Sequence, residues 1–228
     1  PQNIQSIVAL GIVLNYQGRF QESMEIFRDL LAIEGSREVM TDAEYVAVLL
    51  CSSKDLIATA QYDEGLALAE SARQRAIEAY GKFDIQSLNA SLAVSYAQIE
   101  KGNYKEAARE IKEIMPRLKA ISSRHPSTLY AASQLAIAYA GLGRLDEARR
   151  MATDAKDMTE FALGVEVPQF KDATLILAKI LIEQRELQAA IELLESVVSL
   201  TSAVEERPSL QRQIKATLAR AQLQYGDS

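Results

Sequence analysis

Apolar side chains recur at intervals of three and four along most of this chain, and short polar or glycine-bearing breaks interrupt them at regular places. Leu135, Ile137, Ala138 and Leu142 precede one such break, and Leu145, Ala148, Ala152 and Ala155 follow it. That spacing lays an apolar stripe along each of two helices, so the segment predicts a helical hairpin.

The break itself repeats. Gly18-Arg19-Phe20, Ala60-Gln61-Tyr62, Gly102-Asn103-Tyr104, Gly143-Arg144-Leu145 and Arg185-Glu186-Leu187 follow one another every 41 or 42 residues. Seven residues before each turn position stand Gly11, Ser53, Ser95, Ala136 and Ala178; five after it stand Ser23, Gly65, Ala107, Ala148 and Ala190. All ten are small, as required where two helix backbones approach closely, so the two columns mark the crossing inside each hairpin. Phe20, Tyr62, Tyr104, Leu145 and Leu187 come two residues after the turn position and are expected to fill the core of that angle. Pro126, Pro168 and Pro208 suit the first turn of a helix. Asp42 and Asp84 suit N-caps, and Pro116, inside a second helix, predicts a kink or a break.

The expected fold is therefore all-α and built as one repeat array. Five hairpins cover about 3–38, 42–80, 84–122, 126–163 and 168–203, and a terminal helix covers 208–225. Gly226 is a sixth anchor with Ala219 seven residues before it, but no second helix follows. With no initiator Met before Pro1, the expectation is a piece of a longer protein.

A small residue, a turn glycine, a bulky residue two positions on and alanine five positions on resembles the tetratricopeptide repeat. The likeness is clearest in Leu135-Ala136-Ile137-Ala138-Tyr139 followed by Gly143-Arg144-Leu145-Asp146-Glu147-Ala148. The long period and His125-Pro126-Ser127-Thr128-Leu129 are similar to the kinesin-light-chain-like subclass, found in bacterial signalling proteins. The resemblance implies a right-handed superhelical solenoid whose concave face, lined by the first helix of each pair, binds a protein or peptide. Carried over by register, that face holds Val8, Ile12, Asn15, Tyr16, Leu50, Lys54, Leu92 and Tyr96, then Tyr130, Gln134, Ile137, Leu175, Lys179 and Arg220. The polar clamps of some family members have no counterpart in the matching columns. The expected mode is a helix or apolar segment laid in the groove, with Lys54, Lys179 and Arg220 as isolated charges. The alternatives are the sensory part of a bacterial-type kinase or transcription regulator, and a self-association module.

Composition narrows the chemistry. A net charge of −6 supplies no basic surface for phosphates, so nucleic acid is not an expected partner. One cysteine cannot close an intramolecular disulfide and no apolar run reaches the length of a membrane span, which favours a cytoplasmic setting. His125 is the sole histidine and reads as a helix-start residue; Cys51 reads as a small semi-buried residue. Neither a metal site, a catalytic dyad nor a phosphate loop can be assembled, so no enzyme activity or cofactor is expected. The Asp146-Glu147 and Glu205-Glu206 pairs read as helix-start acids, and Arg144, Arg149, Arg150 and Lys156 as a solvated basic face or a contact for an acidic partner.

Overall fold

A computed structural model describes residues 2–33, 35–200 and 208–226. Among these, twelve helices follow in chain order: α1 (Gln2–Tyr16), α2 (Phe20–Ala32), α3 (Ser36–Val39), α4 (Asp42–Ala58), α5 (Tyr62–Tyr80), α6 (Ile85–Lys101), α7 (Tyr104–Ile121), α8 (Pro126–Gly141), α9 (Leu145–Leu163), α10 (Pro168–Glu183), α11 (Leu187–Ser199) and α12 (Pro208–Gly226). The end of the fifth expected repeat, at 203, and the Glu205-Glu206 pair lie outside the described residues. The chain divides into two compact units, one through Arg117 and one from Leu118 onward. The division falls inside α7, between Arg117 and Leu118, and the helix runs through Pro116, so of the kink or break expected there the break does not occur.

Each turn is closed by the same backbone device. Gly18, Gly102 and Gly143 adopt positive φ, and Ala60 (φ 64°) and Arg185 (φ 65°) adopt it too although they carry a Cβ. The next residue's N–H then reaches back five positions: Arg19 to the Leu14 carbonyl (2.9 Å), Gln61 to Leu56 (2.8 Å) and Glu186 to Leu181 (2.9 Å). This satisfies carbonyls that the ending helix leaves open and explains why glycine predominates at the turn.

The small columns do sit at the crossings. A Cβ on Gly11 would lie 2.5 Å from the Phe27 ring, and one on Gly65 would lie 2.7 Å from Ile57. Ser23 Oγ donates to the Gly11 carbonyl (3.1 Å) and Ser53 Oγ to that of Gly65 (2.7 Å), so the serines also tie the paired helices together. The bulky residues after the turn are less interior than expected. Only Leu187 is buried, while Phe20, Tyr104 and Leu145 are half-buried and Tyr62 is exposed, because the first position of a second helix has a neighbour on one side only.

Helix starts also correct one expectation. Asp84 caps α6 through Gln86 N–H (2.8 Å), but α4 is capped by Thr41, which exchanges hydrogen bonds with Glu44 in a capping box. Asp42 instead accepts from Arg37 (3.0 Å) and from Arg75.

Candidate functional site

The first helices of the hairpins are α1, α4 and α6 in one unit and α8, α10 and α12 in the other. They are apolar on most sides, and burial divides their surface into three faces. Positions twelve, eight and five before the turn pack toward the preceding hairpin: Val48 joins Phe27 and Leu30, Val94 and Ala97 join Ile57 and Ala69, and Ile214 joins Leu194 and Val197. Positions ten, seven and three before the turn lie against the helix's own partner; Leu92, Ser95 and Ile99 of α6, and Leu175, Ala178 and Ile182 of α10, are all buried. Successive positions turn by about 100°, so the remaining stripe is positions thirteen, nine, six and two before the turn.

That stripe decides which expected groove residues are available. Six before the turn stand Ile12, Lys54, Tyr96, Ile137, Lys179 and Arg220, and none of them is buried. Tyr16 and Tyr130 are exposed on the same stripe, while Leu50, ten before the turn and so off the stripe, is half-buried. Val8, Leu92 and Leu175 are not groove residues. They stand ten before the turn, on the flank rotated toward the second helix, and all three are buried in the interior.

Asn15 is also interior, for a polar reason. Its Nδ2 donates to Asp55 Oδ1 (2.8 Å) and to the Cys51 carbonyl (3.2 Å), while Lys54 Nζ donates to its Oδ1 (3.3 Å). Asn15 thus links a buried carboxyl to a cation on the open stripe, and the same Lys54 head lies 5.7 Å from the Tyr16 ring centroid. Burial pushes the Asp55 carboxyl above the usual carboxylate range, against the pull of Ser23, Asn15 and Lys54. Burial, with Asp55 close by, pushes the Cys51 thiol up to about 11, so it stays protonated at neutral pH and is a poor nucleophile.

In the other unit Gln134 is 2% exposed, and neither end of its amide has a hydrogen-bond partner. It stands nine before the turn, one helical turn after Tyr130. Sequence reasoning missed Asn89 and Asp172, both half-buried and both thirteen before the turn. Their signal was the column of Tyr130, one turn upstream of the positions used.

The remaining candidates have structural roles. His125 caps α8, its Nδ1 accepting from Ser127 N–H (3.2 Å). In the basic cluster, Arg144 pairs with Glu147, Arg149 with Glu186, and Lys156 with Asp157 (2.9 Å) and Glu160 (3.0 Å), leaving little net charge for an acidic partner. Among the described residues no three of His, Cys, Asp and Glu gather as a metal site, and no helix is long and apolar enough to cross a membrane.

Two stretches, residues 4–34 and 128–168, match the family model described as tetratricopeptide repeat. Over those two stretches the chain is similar to the tetratricopeptide repeat. Its fold is that of several solved tetratricopeptide structures. The nearly identical TPR-like repeats of a Podosopora anserina protein assigned as a kinesin light chain, in a Q17M form, superpose with a TM-score of 0.65 at 22% identity, covering 88% of this chain and 95% of that one. BtubC (BKLC) from P. vanneervenii gives 0.67 at 14% identity over 98% of this chain and 85% of its own. TTC0263, a thermophilic TPR protein of Thermus thermophilus, gives 0.67 at 14% identity over 96% and 99%. Among curated proteins none matches the sequence. The matched stretches and the shared fold agree with the helical tetratricopeptide-like array expected from the sequence.

Proposed function

We propose that this tetratricopeptide-like chain holds a segment of another protein along the open stripes of its first helices. One observation carries the reading: in every first helix the residue six before the turn stays unburied, even in α6 and α10, whose other two faces are buried. Within each unit that column mixes apolar and cationic positions, Ile12, Lys54 and Tyr96 in one and Ile137, Lys179 and Arg220 in the other. It suits an amphipathic segment whose apolar side chains lie on the aliphatic and aromatic positions and whose carboxylates meet the cations, a helix-in-groove mode with charge complementarity. The unpartnered amide of Gln134 adds a hydrogen-bonding group beside Tyr130, where a ligand backbone would remove the cost of leaving it unsatisfied.

Peptides selected from a random display library on the 228-residue chain provide the probe. A peptide held by the unit through Arg117 should be weakened about tenfold or more by Tyr96→Ala, and one held by the unit from Leu118 onward by Lys179→Glu or Arg220→Glu, measured by isothermal titration, roughly 1.4 kcal/mol. Arg150→Glu, on a second helix, should leave affinity unchanged. Wild-type affinity in all three stripe variants would remove this reading.

A further inference from the structure

Two residues in the unit through Arg117 break the apolar pattern of their columns. Five before the turn, Asp55 stands where every other repeat has an apolar residue, Val13, Ala97 and Ile180 among them; three before it, Asn15 stands where the others have residues such as Ile57, Ile99 and Ile182. The two meet. Asn15 Nδ2 donates to Asp55 Oδ1 (2.8 Å), and Asn15 Oδ1 accepts from Lys54 Nζ (3.3 Å) on the open stripe. One amide thus joins a fully buried carboxyl to a cation that a bound segment can touch. An apolar pair would fill the same space without burying a charge, and such replacements are often neutral or stabilising, so packing alone gives no reason for the polar pair.

The second carboxyl oxygen is a seat for a proton. Asp55 Oδ2 is buried without a hydrogen-bond partner, and Ser23 lies close enough to act on the carboxyl. The Ser23 hydroxyl donates to the Gly11 carbonyl (3.1 Å), which leaves its oxygen able to accept from a protonated Asp55. The other groups around Asp55 supply little charge. Helix α1 has no charged residue, Arg19 and Glu22 at the start of α2 pair with each other in solvent, and Cys51 stays a thiol. Asp63, Glu64, Glu100 and Lys101, at the adjoining ends of α5 and α6, are exposed. The cation that acts on Asp55 is Lys54, and burial works against it.

We propose that binding in the groove of this unit is proton-linked: when a partner carboxylate pairs with Lys54, Asp55 takes up a proton on Oδ2. The proposal rests on the groove reading above and adds its regulation. A carboxylate seated on Lys54 brings a second negative charge toward Asp55, engages the cation that steadied it and shuts water from the stripe; all three favour the neutral acid. The proton comes from solvent and its hydrogen bond goes to Ser23. Asp55 therefore keeps its proton to higher pH in the complex than alone. Between those two values the complex binds more protons than the free chain, so affinity rises as pH falls through that window, and outside it this group contributes no slope.

The probe is a library-selected peptide that Tyr96→Ala weakens, titrated into the 228-residue chain at pH values from about 5 to about 8, in pairs of buffers with unequal ionisation enthalpies. Wild type should take up about half a proton at the centre of the window and bind about tenfold tighter below it than above it. Asp55→Asn keeps the acceptor for Asn15 but cannot titrate, and should bind without that uptake. Lys54→Met should bind weakly and with the pH profile of Asp55→Asn. A readout free of variants is the carboxyl-carbon NMR resonance of Asp55, whose titration midpoint should move up when the peptide is added. Equal proton uptake in wild type and Asp55→Asn, or an Asp55 midpoint that the peptide does not move, would overturn the proposal and leave the groove intact. If Tyr96→Ala weakens no selected peptide, the groove reading fails in this unit and the proposal fails with it.

Discussion

The interiors of the two units hold the same repeat with different chemistry. Through Arg117 the special columns are partly polar: Ser23 and Ser53 bond across the hairpin crossings, and Asn15, Asp55 and Lys54 form a chain of hydrogen bonds between successive first helices. From Leu118 onward the equivalent positions are Ala136, Ala148, Ala178, Ala190, Ile180 and Ile182, and all are buried. Close approach of backbones needs small side chains in both units; whether those are hydroxyl or methyl is a free choice once each polar atom has a partner. The polar version adds directional tethers, and it carries a penalty when one member is removed.

Exchanging the two chemistries should therefore be asymmetric. The largest effect is expected for Ile180→Asp, which buries a carboxyl where no amide equivalent to Asn15 is aligned with it; urea unfolding should show a loss of about 3–5 kcal/mol. Next comes Asn15→Leu, which leaves the Asp55 carboxyl without its donor and should cost about 1–3 kcal/mol. The double variant Asn15→Leu, Asp55→Leu should recover most of that loss. If it is no better than the sum of the single variants, the pair is not coupled as described.

The same carboxyl gives the comparison a pH dependence. Because Asp55 is raised above its unfolded value, the folded chain binds more protons than the unfolded one between the two values. Its contribution to stability is thus fully present below the unfolded value and is lost as pH rises through the folded one. Glu22, Asp42 and Glu44, held below the usual range by hydrogen bonds to Arg19, Arg75 and Thr41 respectively, act in the opposite sense at lower pH. The difference between wild type and Asp55→Asn isolates the buried group: the variant should gain stability relative to wild type as pH is raised from about 4 to 7. A constant difference over that range would show that Asp55 does not titrate there.

The smallest effects are expected at the turns. Ala60→Gly in one unit and Arg185→Gly in the other relieve a left-handed residue and should each raise stability by about 1 kcal/mol in thermal unfolding. Equal gains in both units would mark the turn as the feature the two share, independent of interior chemistry.

Much of this was legible in the sequence because a repeat multiplies its own evidence. A small residue at Gly11 alone means little, but the same column filled by Ser53, Ser95, Ala136 and Ala178 fixes where the helices cross. Glycine at three of five turn positions announces a left-handed residue that Ala60 and Arg185 then have to adopt. The groove was legible only in part. In single repeats the residues six and ten before the turn look alike, and nothing local separates Ile12 from Val8 or Tyr96 from Leu92.

By itself the sequence determined the period, the hairpins and the crossings, since those follow from side-chain size and backbone preference at each position. Only the tertiary structure decided which flank of each first helix is covered. It put Leu92 and Leu175 inside, left Lys179 and Arg220 open, and joined Asn15 to Asp55 and Lys54. Burial is a property of what lies across from a residue, and neighbours brought together from about forty positions away are set by stacking rather than by local pattern.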